Sequence, residues 1–345
     1  MSELLLSFIM PTFNSSEYLA KTMDSLIASI GQHSSSVEII CVDDGSTDST
    51  VAILEEYKSV FDNLIIIRNN HGGVSQARNT ALDMVSGAFI SFVDSDDLFE
   101  ENFLDIFSSI ENNFDILFTD VKYLDRNLYI PGISFEKKIN VFKNSLRIGE
   151  YGIEPGVAGK FFRTEIVNKN RIRFNTELSV SEDVLFNFNF ITYADNVLLS
   201  SEKFYTVTGT HSLMFYNEKN LAGQVEFVNQ VRKILSIYPD NSDKQLLEDK
   251  FILNAMTIFI DRYFGPLWLN GTYSLNKASK LMKTTIEDNK FSKAFNSSRL
   301  DYSIGRRYVV FRKLLRFKQY KLCLIYNRIM DKIKGYERFR KDWFV

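Results

Sequence analysis

Cysteine is nearly absent: Cys41 and Cys323 are the two among 345 residues. Two cysteines so far apart make no disulfide framework, which fits a reducing compartment. No stretch approaches the roughly 18 consecutive apolar residues that cross a bilayer, and Met1-Ser2-Glu3 lacks the basic n-region of a secretory signal. We therefore expect a soluble or peripheral protein of the cytoplasm, at most bound to the inner membrane face. A Gly-X-Gly-X-X-Gly turn after the first apolar run is missing, which excludes a dinucleotide-binding oxidoreductase. The Gly-rich N-terminal signature of a sugar-1-phosphate nucleotidyltransferase is missing too. There is no internal repeat and no low-complexity tract. Excess charge of either sign is small, at net −2, so bulk charge selects no partner and makes no case for nucleic acid.

What is present is a globular composition, 45% hydrophobic and 24% charged, with 30 Phe and 16 Tyr to fill a core. The first 120 residues alternate short apolar runs with helical spacing. The runs are Leu4–Met10, Val37–Val42, Leu64–Ile67 and Phe89–Val93. Between them lie Tyr18 to Ile30 behind Asn14, Ser15 and Ser16, then Val51 to Phe61 behind Ser46 and Thr47, then Val74 to Val85. Continuous apolar strands alternating with helices predict an α/β fold, a mostly parallel, Rossmann-like sheet with helices on both faces. A mixed region follows, with a helix over about 101–113, a strand near 115–119, and mostly helical spacing from about 216. The expected division is 1–215 (a nucleotide half to about 100, then an acceptor half) and a helical C-terminal region, 216–345.

In such sheets ligands sit beyond the carboxyl ends of the strands. All four ends here are polar or acidic: Pro11-Thr12-Phe13-Asn14, Asp43-Asp44-Gly45-Ser46, Asn69-Asn70-His71-Gly72-Gly73 and Asp94-Ser95-Asp96-Asp97. Three carboxylates within four residues repel one another and call for a cation or full solvation. A hard divalent cation would join them to substrate phosphate; a solvated turn with an Asp helix cap is the plainer alternative. Asp43 and Asp44 allow a turn with Ser46 or Thr47 as cap, or a carboxylate that accepts from a base N–H or a ribose hydroxyl. The paired glycines open the third helix and permit close backbone approach to a ligand. Arg78 is expected in or near that helix's first turn, against the dipole, as if an anion were close; an ordinary exposed Arg is the alternative.

These four motifs, in this order, resemble glycosyltransferase family 2, of the GT-A fold, over roughly residues 4–215. The resemblance implies an inverting, metal-dependent transferase using Mn²⁺ or Mg²⁺ and a nucleotide-sugar donor, UDP-linked by family habit. Its acceptor would be a hydroxyl of a bacterial surface glycan, glycoprotein or lipid-linked glycan. By the same resemblance Pro11 and Phe13 would line the nucleobase pocket, Asp44 would accept from uracil N3, and Asn70 and Arg78 would contact the donor. Asp94 would reach the ribose, Asp96 would bind the metal, and Ser95 lies between them in the donor-binding turn. Asp183, in Ser181-Glu182-Asp183, would be the general base, with Glu182 and Lys160 on the acceptor side. Family members often carry an aromatic and basic segment where Thr206–Ser212 stands. Position 207 is Val here, so His211 is a candidate third metal ligand or diphosphate donor, or a structural histidine.

Read from the residues alone, Ser181 caps a helix whose dipole lowers the Asp183 pKa; a base nearer neutrality needs burial or a neighbouring acid, and Glu182 is one. Lys160 reads equally as a snorkelling surface Lys, and His33 carries no hypothesis. The membrane-spanning processive synthases of the family need a Gln-X-X-Arg-Trp motif, which is missing. The rival reading is a catalytically silent nucleotide-sugar-binding or scaffolding protein on the same fold. Finally, residues 306–345 carry 13 Lys and Arg against 3 acids, net +10, while the remainder is net −12. A basic amphipathic segment can lie on an anionic membrane or pack its apolar stripe on another subunit; self-association through the C-terminal helices is the expectation.

Overall fold

The computed structural model describes residues 5–101, 103–111, 113–208, 217–303 and 305–334. His211 and the end of the basic segment, 335–345, lie outside the described residues. The chain forms two compact units, one of Met1–Lys138 with Glu150–Gly209, the other of Ile139–Gly149 with Thr210–Val345.

The first unit begins β1 (Leu6–Thr12), α1 (Leu19–Ile30), β2 (Val37–Asp43), α2 (Thr50–Lys58), β3 (Leu64–Arg68), α3 (Val74–Leu82), β4 (Phe89–Phe92). It continues through β5 (Leu98–Phe99), α4 (Phe103–Ser109), β6 (Ile116–Phe118), β7 (Leu128–Ile130), the start of α5 (Phe135–Ser145, which passes into the second unit at Ile139), β8 (Lys160–Arg163), α6 (Thr164–Lys169), α7 (Glu182–Tyr193), β9 (Val197–Leu199) and β10 (Tyr205–Thr206). The main sheet runs β3-β2-β1-β4-β8-β6-β9-β7, and β5 pairs with β10 separately. The first four strands are parallel; β8 joins antiparallel to both β4 and β6.

Alternation sorts the two faces. Leu6, Phe8 and Met10 with Val37, Ile39 and Cys41 share a core with Leu19, Met23 and Leu26 of α1, Leu54 of α2 and Phe103, Leu104 and Phe107 of α4. The intervening Ile9, Ile40 and Val42 are equally buried, and α3 packs on β1 and β2 with Ala77, Ala81 and Leu82 inward. Small alanines let that helix approach the sheet closely. Pro11 belongs to β1, not to the loop after it, and pairs with Val42. It has no N–H with which to continue the other side of the ladder. Pairing to β4 accordingly stops at Ile9 and Phe92, and β4 departs into the acidic turn.

Several expected caps are replaced. Ser46 and Thr47 do not cap α2; Asp48 accepts from the Thr50 N–H at 3.0 Å instead. Leu98 and Phe99 form a short strand, so the acidic turn does not lead straight into a helix, and α1 begins at Leu19 on the Ser15 carbonyl rather than on a side-chain cap. In the second unit α8 (Glu218–Ser236), α9 (Ser242–Ile258), α10 (Gly265–Leu269), α11 (Leu275–Asp288), α12 (Arg306–Arg316) and α13 (Tyr320–Lys334) bury Phe227, Phe251, Phe264, Met282, Phe311 and Leu324.

Candidate active site

The register aligns the ends of β1, β2 and β3 at Thr12, Asp43 and Arg68, so the following loops share one edge. Asp44, 3% exposed, ties two of them together. Its Oδ1 accepts the Gly72 N–H at 2.9 Å and its Oδ2 the Gly73 N–H at 2.7 Å. Gly73 enters α3 at φ +89°, a left-handed backbone that favours glycine. His71 is carried by the same loop, its Nδ1 3.2 Å from Asp44 Oδ2. Its ring lies 4.5 Å from that of Phe13, tilted by 34°, and Phe13 is 46% exposed. Two open rings beside a carboxylate make a flat, edge-polar platform. Asn70 is exposed with no such engagement, so His71 is the residue of this motif that faces Phe13. Sequence reasoning passed over it; its place between Asn70 and two glycines was the available signal.

The acidic turn is not uniform. Asp97 turns inward, and its Oδ2 accepts from the Tyr205 hydroxyl at 2.7 Å, its Oδ1 from the Thr208 N–H at 2.8 Å. Burial raises its pKa to about 6 against the pull of those bonds, and Asp94 and Asp96 push the same way. The Tyr205 hydroxyl also accepts the Asp94 N–H at 3.0 Å, so one phenol fixes both ends of the turn. Ser95 Oγ lies 2.8 Å from Ser15 Oγ, and its carbonyl accepts from Thr22, which anchors the turn to the start of α1. Asp94 and Asp96 remain half-buried. Sequence reasoning missed Tyr205, 111 residues from Asp94.

Arg78 falls in the second turn of α3, not the first, and is buried, not exposed. Its anions are protein carboxylates: Nη2 meets Asp94 Oδ1 at 2.9 Å and Nη1 meets Glu182 Oε1 at 3.3 Å. The guanidinium also sits 5.2 Å from the centre of the Phe174 ring. Burial lowers its pKa, but Asp94, Glu182 and Asp183 outweigh that and raise it, so it stays charged. This one side chain connects the turn after β4 to the start of α7.

At α7 the helix begins at Glu182 behind Ser181, which is left-handed at φ 67° and gives no side-chain cap. Asp183 Oδ1 accepts the Val184 N–H at 2.7 Å. Burial raises the Asp183 pKa, with Asp94 adding to it, against Arg78, the Val184 N–H and Lys160; the expected lowering by the helix end is overridden. Burial and the Asp183 charge likewise raise Glu182. Lys160 is buried in β8 rather than snorkelling at the surface. Its ammonium donates to the Gly156 carbonyl, and burial lowers its pKa to about 8, opposed by Asp183 and Glu154. Asn187, one α7 turn beyond Asp183, donates to the Pro155 and Gly156 carbonyls at 2.7 and 2.9 Å and steadies the same loop.

The chemistry of the turn's donor set fits a hard divalent cation. Asp94 and Asp96 offer carboxylate oxygen, and Arg78 engages Asp94. Among the described residues no three His, Cys, Asp or Glu side chains gather at a point.

Comparison with known proteins bears on the family and the fold. Residues 7–161 match the Glycosyl transferase family 2 model. The chain is similar to the poly(ribitol-phosphate) beta-glucosyltransferase of Bacillus spizizenii, 30% identical over 268 residues, which cover 75% of this chain and 40% of that protein. It is similar to the poly(ribitol-phosphate) beta-N-acetylglucosaminyltransferase TarP of Staphylococcus aureus, 28% identical over 71% of this chain and 77% of TarP. The chain thus spans about two fifths of the length of the Bacillus relative. Among solved structures, S. aureus TarS in complex with UDP-GlcNAc aligns with a TM-score of 0.65 at 23% identity, covering 97% of this chain and 93% of that one, and shares its fold. Residues 7–161 thus carry the glycosyltransferase family 2 match, and the chain shares the fold of TarS.

Proposed function

We propose that the protein transfers a sugar, with inversion, from a UDP-sugar to a hydroxyl of a surface polymer of the polyol-phosphate kind. The observation that carries this is the Asp94–Arg78–Glu182 bridge, which joins an acidic turn suited to diphosphate with a buried acid pair suited to proton transfer. The relatives' names support the acceptor class, since both act on poly(ribitol-phosphate). They differ in the sugar, glucose against N-acetylglucosamine, so the donor is assigned no further than a UDP-hexose.

In this reading Phe13 and His71 take the uracil face, with Pro11 as the wall and Asp44 accepting from N3. Asp44 Oδ1 keeps a lone pair beyond the one used on the Gly72 N–H. Asp94 and Ser95 orient the ribose and diphosphate. Asp96 would hold Mn²⁺ or Mg²⁺, which neutralises charge on the departing diphosphate when bound. Asp183 removes the proton of the acceptor hydroxyl. Acceptor oxygen bonds to the anomeric carbon from the side opposite the diphosphate, the bond from that carbon to phosphate oxygen breaks, and UDP leaves with the electron pair. Glu182 and Lys160 flank the base: the Asp183 charge raises Glu182, and the Lys160 ammonium stabilises the ionised base. A base raised by burial is a stronger proton acceptor than an exposed aspartate.

The test is release of UDP from UDP-glucose and UDP-N-acetylglucosamine with and without poly(ribitol-phosphate), in Mn²⁺ and in EDTA. Acceptor-stimulated release that EDTA abolishes is expected. UDP binding without any turnover would replace this reading with a silent nucleotide-sugar-binding protein.

A further inference from the structure

Residues 302–330 contain no Asp or Glu, yet include eight Lys and Arg. Two of these are neutralised inside the second unit: Arg307 meets Asp261 at 2.5 Å, and Arg312 meets Asp301 at 2.6 Å. The other six, Arg306, Lys313, Arg316, Lys318, Lys321 and Arg328, are exposed and make no ion pair among the described residues. They do not stand on a wholly polar surface. Phe317, at the turn between α12 and α13, is 66% exposed; Leu322 and Ile329 on α13 are 48% and 50% exposed. Leu322 and Ile329 are seven residues apart and share one helix face, opposite the buried Cys323, Leu324 and Asn327. Lys321 and Arg328, also seven apart, flank that face. The Arg328 guanidinium lies 5.3 Å from the Trp268 ring centre.

We propose that this α12–α13 face docks on an anionic lipid surface. Three partners compete for such a patch, and its chemistry separates them. A soluble polyanion would use the cations but has nothing to cover Phe317, Leu322 and Ile329. A second copy joined by two-fold symmetry would bring the patch against itself, six unpaired cations facing six. A bilayer takes both halves: phosphates receive the cations, and the headgroup boundary receives the aromatic and aliphatic side chains. A Trp beside an Arg suits that boundary, with an apolar body and a polar edge. The inference is independent of the proposed reaction.

The test is co-sedimentation of the full chain with vesicles of phosphatidylglycerol and phosphatidylcholine, against phosphatidylcholine alone, at low and high salt. Pelleting with the anionic vesicles that falls with salt is expected. Each surface cation contributes about fivefold to binding at low salt. The double variant K318E/K321E should therefore weaken binding by at least about 25-fold. F317S/L322S should weaken it at least about tenfold without changing its salt dependence. All four positions are exposed, so melting temperature and UDP affinity should match the parent, which separates loss of docking from misfolding. Three results would overturn the proposal: no preference for anionic vesicles; binding to soluble polyphosphate as tight as to vesicles and indifferent to F317S/L322S; or light scattering showing an oligomer that F317S/L322S dissociates while lipid binding stays unchanged.

Discussion

Arg78 is the residue on which the charge balance of the site turns. It is buried against two carboxylates, and removing it leaves Glu182 and Asp94 facing each other without a counter-ion. Losing one partner of a buried ion cluster costs about 3–5 kcal/mol. Because Asp94 is partly open to water, Arg78→Met should fall at the lower end, about 3 kcal/mol by urea denaturation. A loss below about 1 kcal/mol would mean that the cluster is solvated and contributes little. Asp183 makes a different prediction. Asp183→Asn should lower single-turnover transfer by at least about 10²-fold and leave UDP affinity nearly unchanged. A variant that loses UDP affinity but retains chemistry would move Asp183 into the donor site. The pH dependence of kcat/KM has a definite sign. Burial raises the Asp183 pKa, so activity should climb with pH through a limb lying above the ordinary carboxylate value near 4. A limb at that ordinary value would show that the base is solvated in the free enzyme.

The acidic turn is organised at the level of elements, by a strand pair that no local pattern announces. β10 lies against β5, and its Tyr205 hydroxyl donates to Asp97 and accepts from the Asp94 N–H. Gly159 makes room for it: at φ +66°, a Cβ there would come within 2.8 Å of the Tyr205 Cβ. Tyr205→Phe would strand a buried carboxylate oxygen and a backbone N–H together. The expected cost is about 1–3 kcal/mol, together with weaker UDP binding in Mn²⁺, because Asp94 and Asp96 lose their support. Gly159→Ala should do similar damage by displacing the ring. Unchanged metal-dependent UDP affinity in both variants would make Tyr205 a core residue only. Here the limits of the sequence are visible. The strand-end motifs were legible because a parallel sheet brings loops from β1 to β4 to one edge whatever the details, and the apolar runs that encode it are long. Inward from outward could not be read: Asp97 and Asp94 are alike in sequence and opposite in burial. Lys160 looked like a surface residue because a lone Lys carries no sign of the Gly156 carbonyl that receives it. His71 was hidden by two asparagines of more familiar chemistry, and the caps near Ser46 and Ser181 failed because Asp48 and a left-handed serine took the positions. In each case the deciding contact is long-range or a single backbone angle.

At the scale of the whole molecule, each unit has its own core: the aromatic sheet core around Phe8, Phe103 and Phe161 in one, and the helical core around Phe251, Phe264 and Phe311 in the other. The candidate site residues named above, from Pro11 to Tyr205, belong to the first unit, and the basic face of α12 and α13 belongs to the second. Chains with two cores commonly depart from a single two-state transition, so calorimetry should resolve two components. On the proposed function UDP with Mn²⁺ binds the folded first unit, and at about 100 times its Kd it should stabilise that unit by about 2.7 kcal/mol. For a unit of this size that corresponds to about 5–10 °C in Tm. The second component should stay in place, and EDTA should erase the shift. F317S/L322S should leave both components where they are, since its side chains contribute to neither core. A single transition that moves as one with UDP would mean that the two units unfold together, and the ligand-bound catalytic unit would then set the stability of the entire chain.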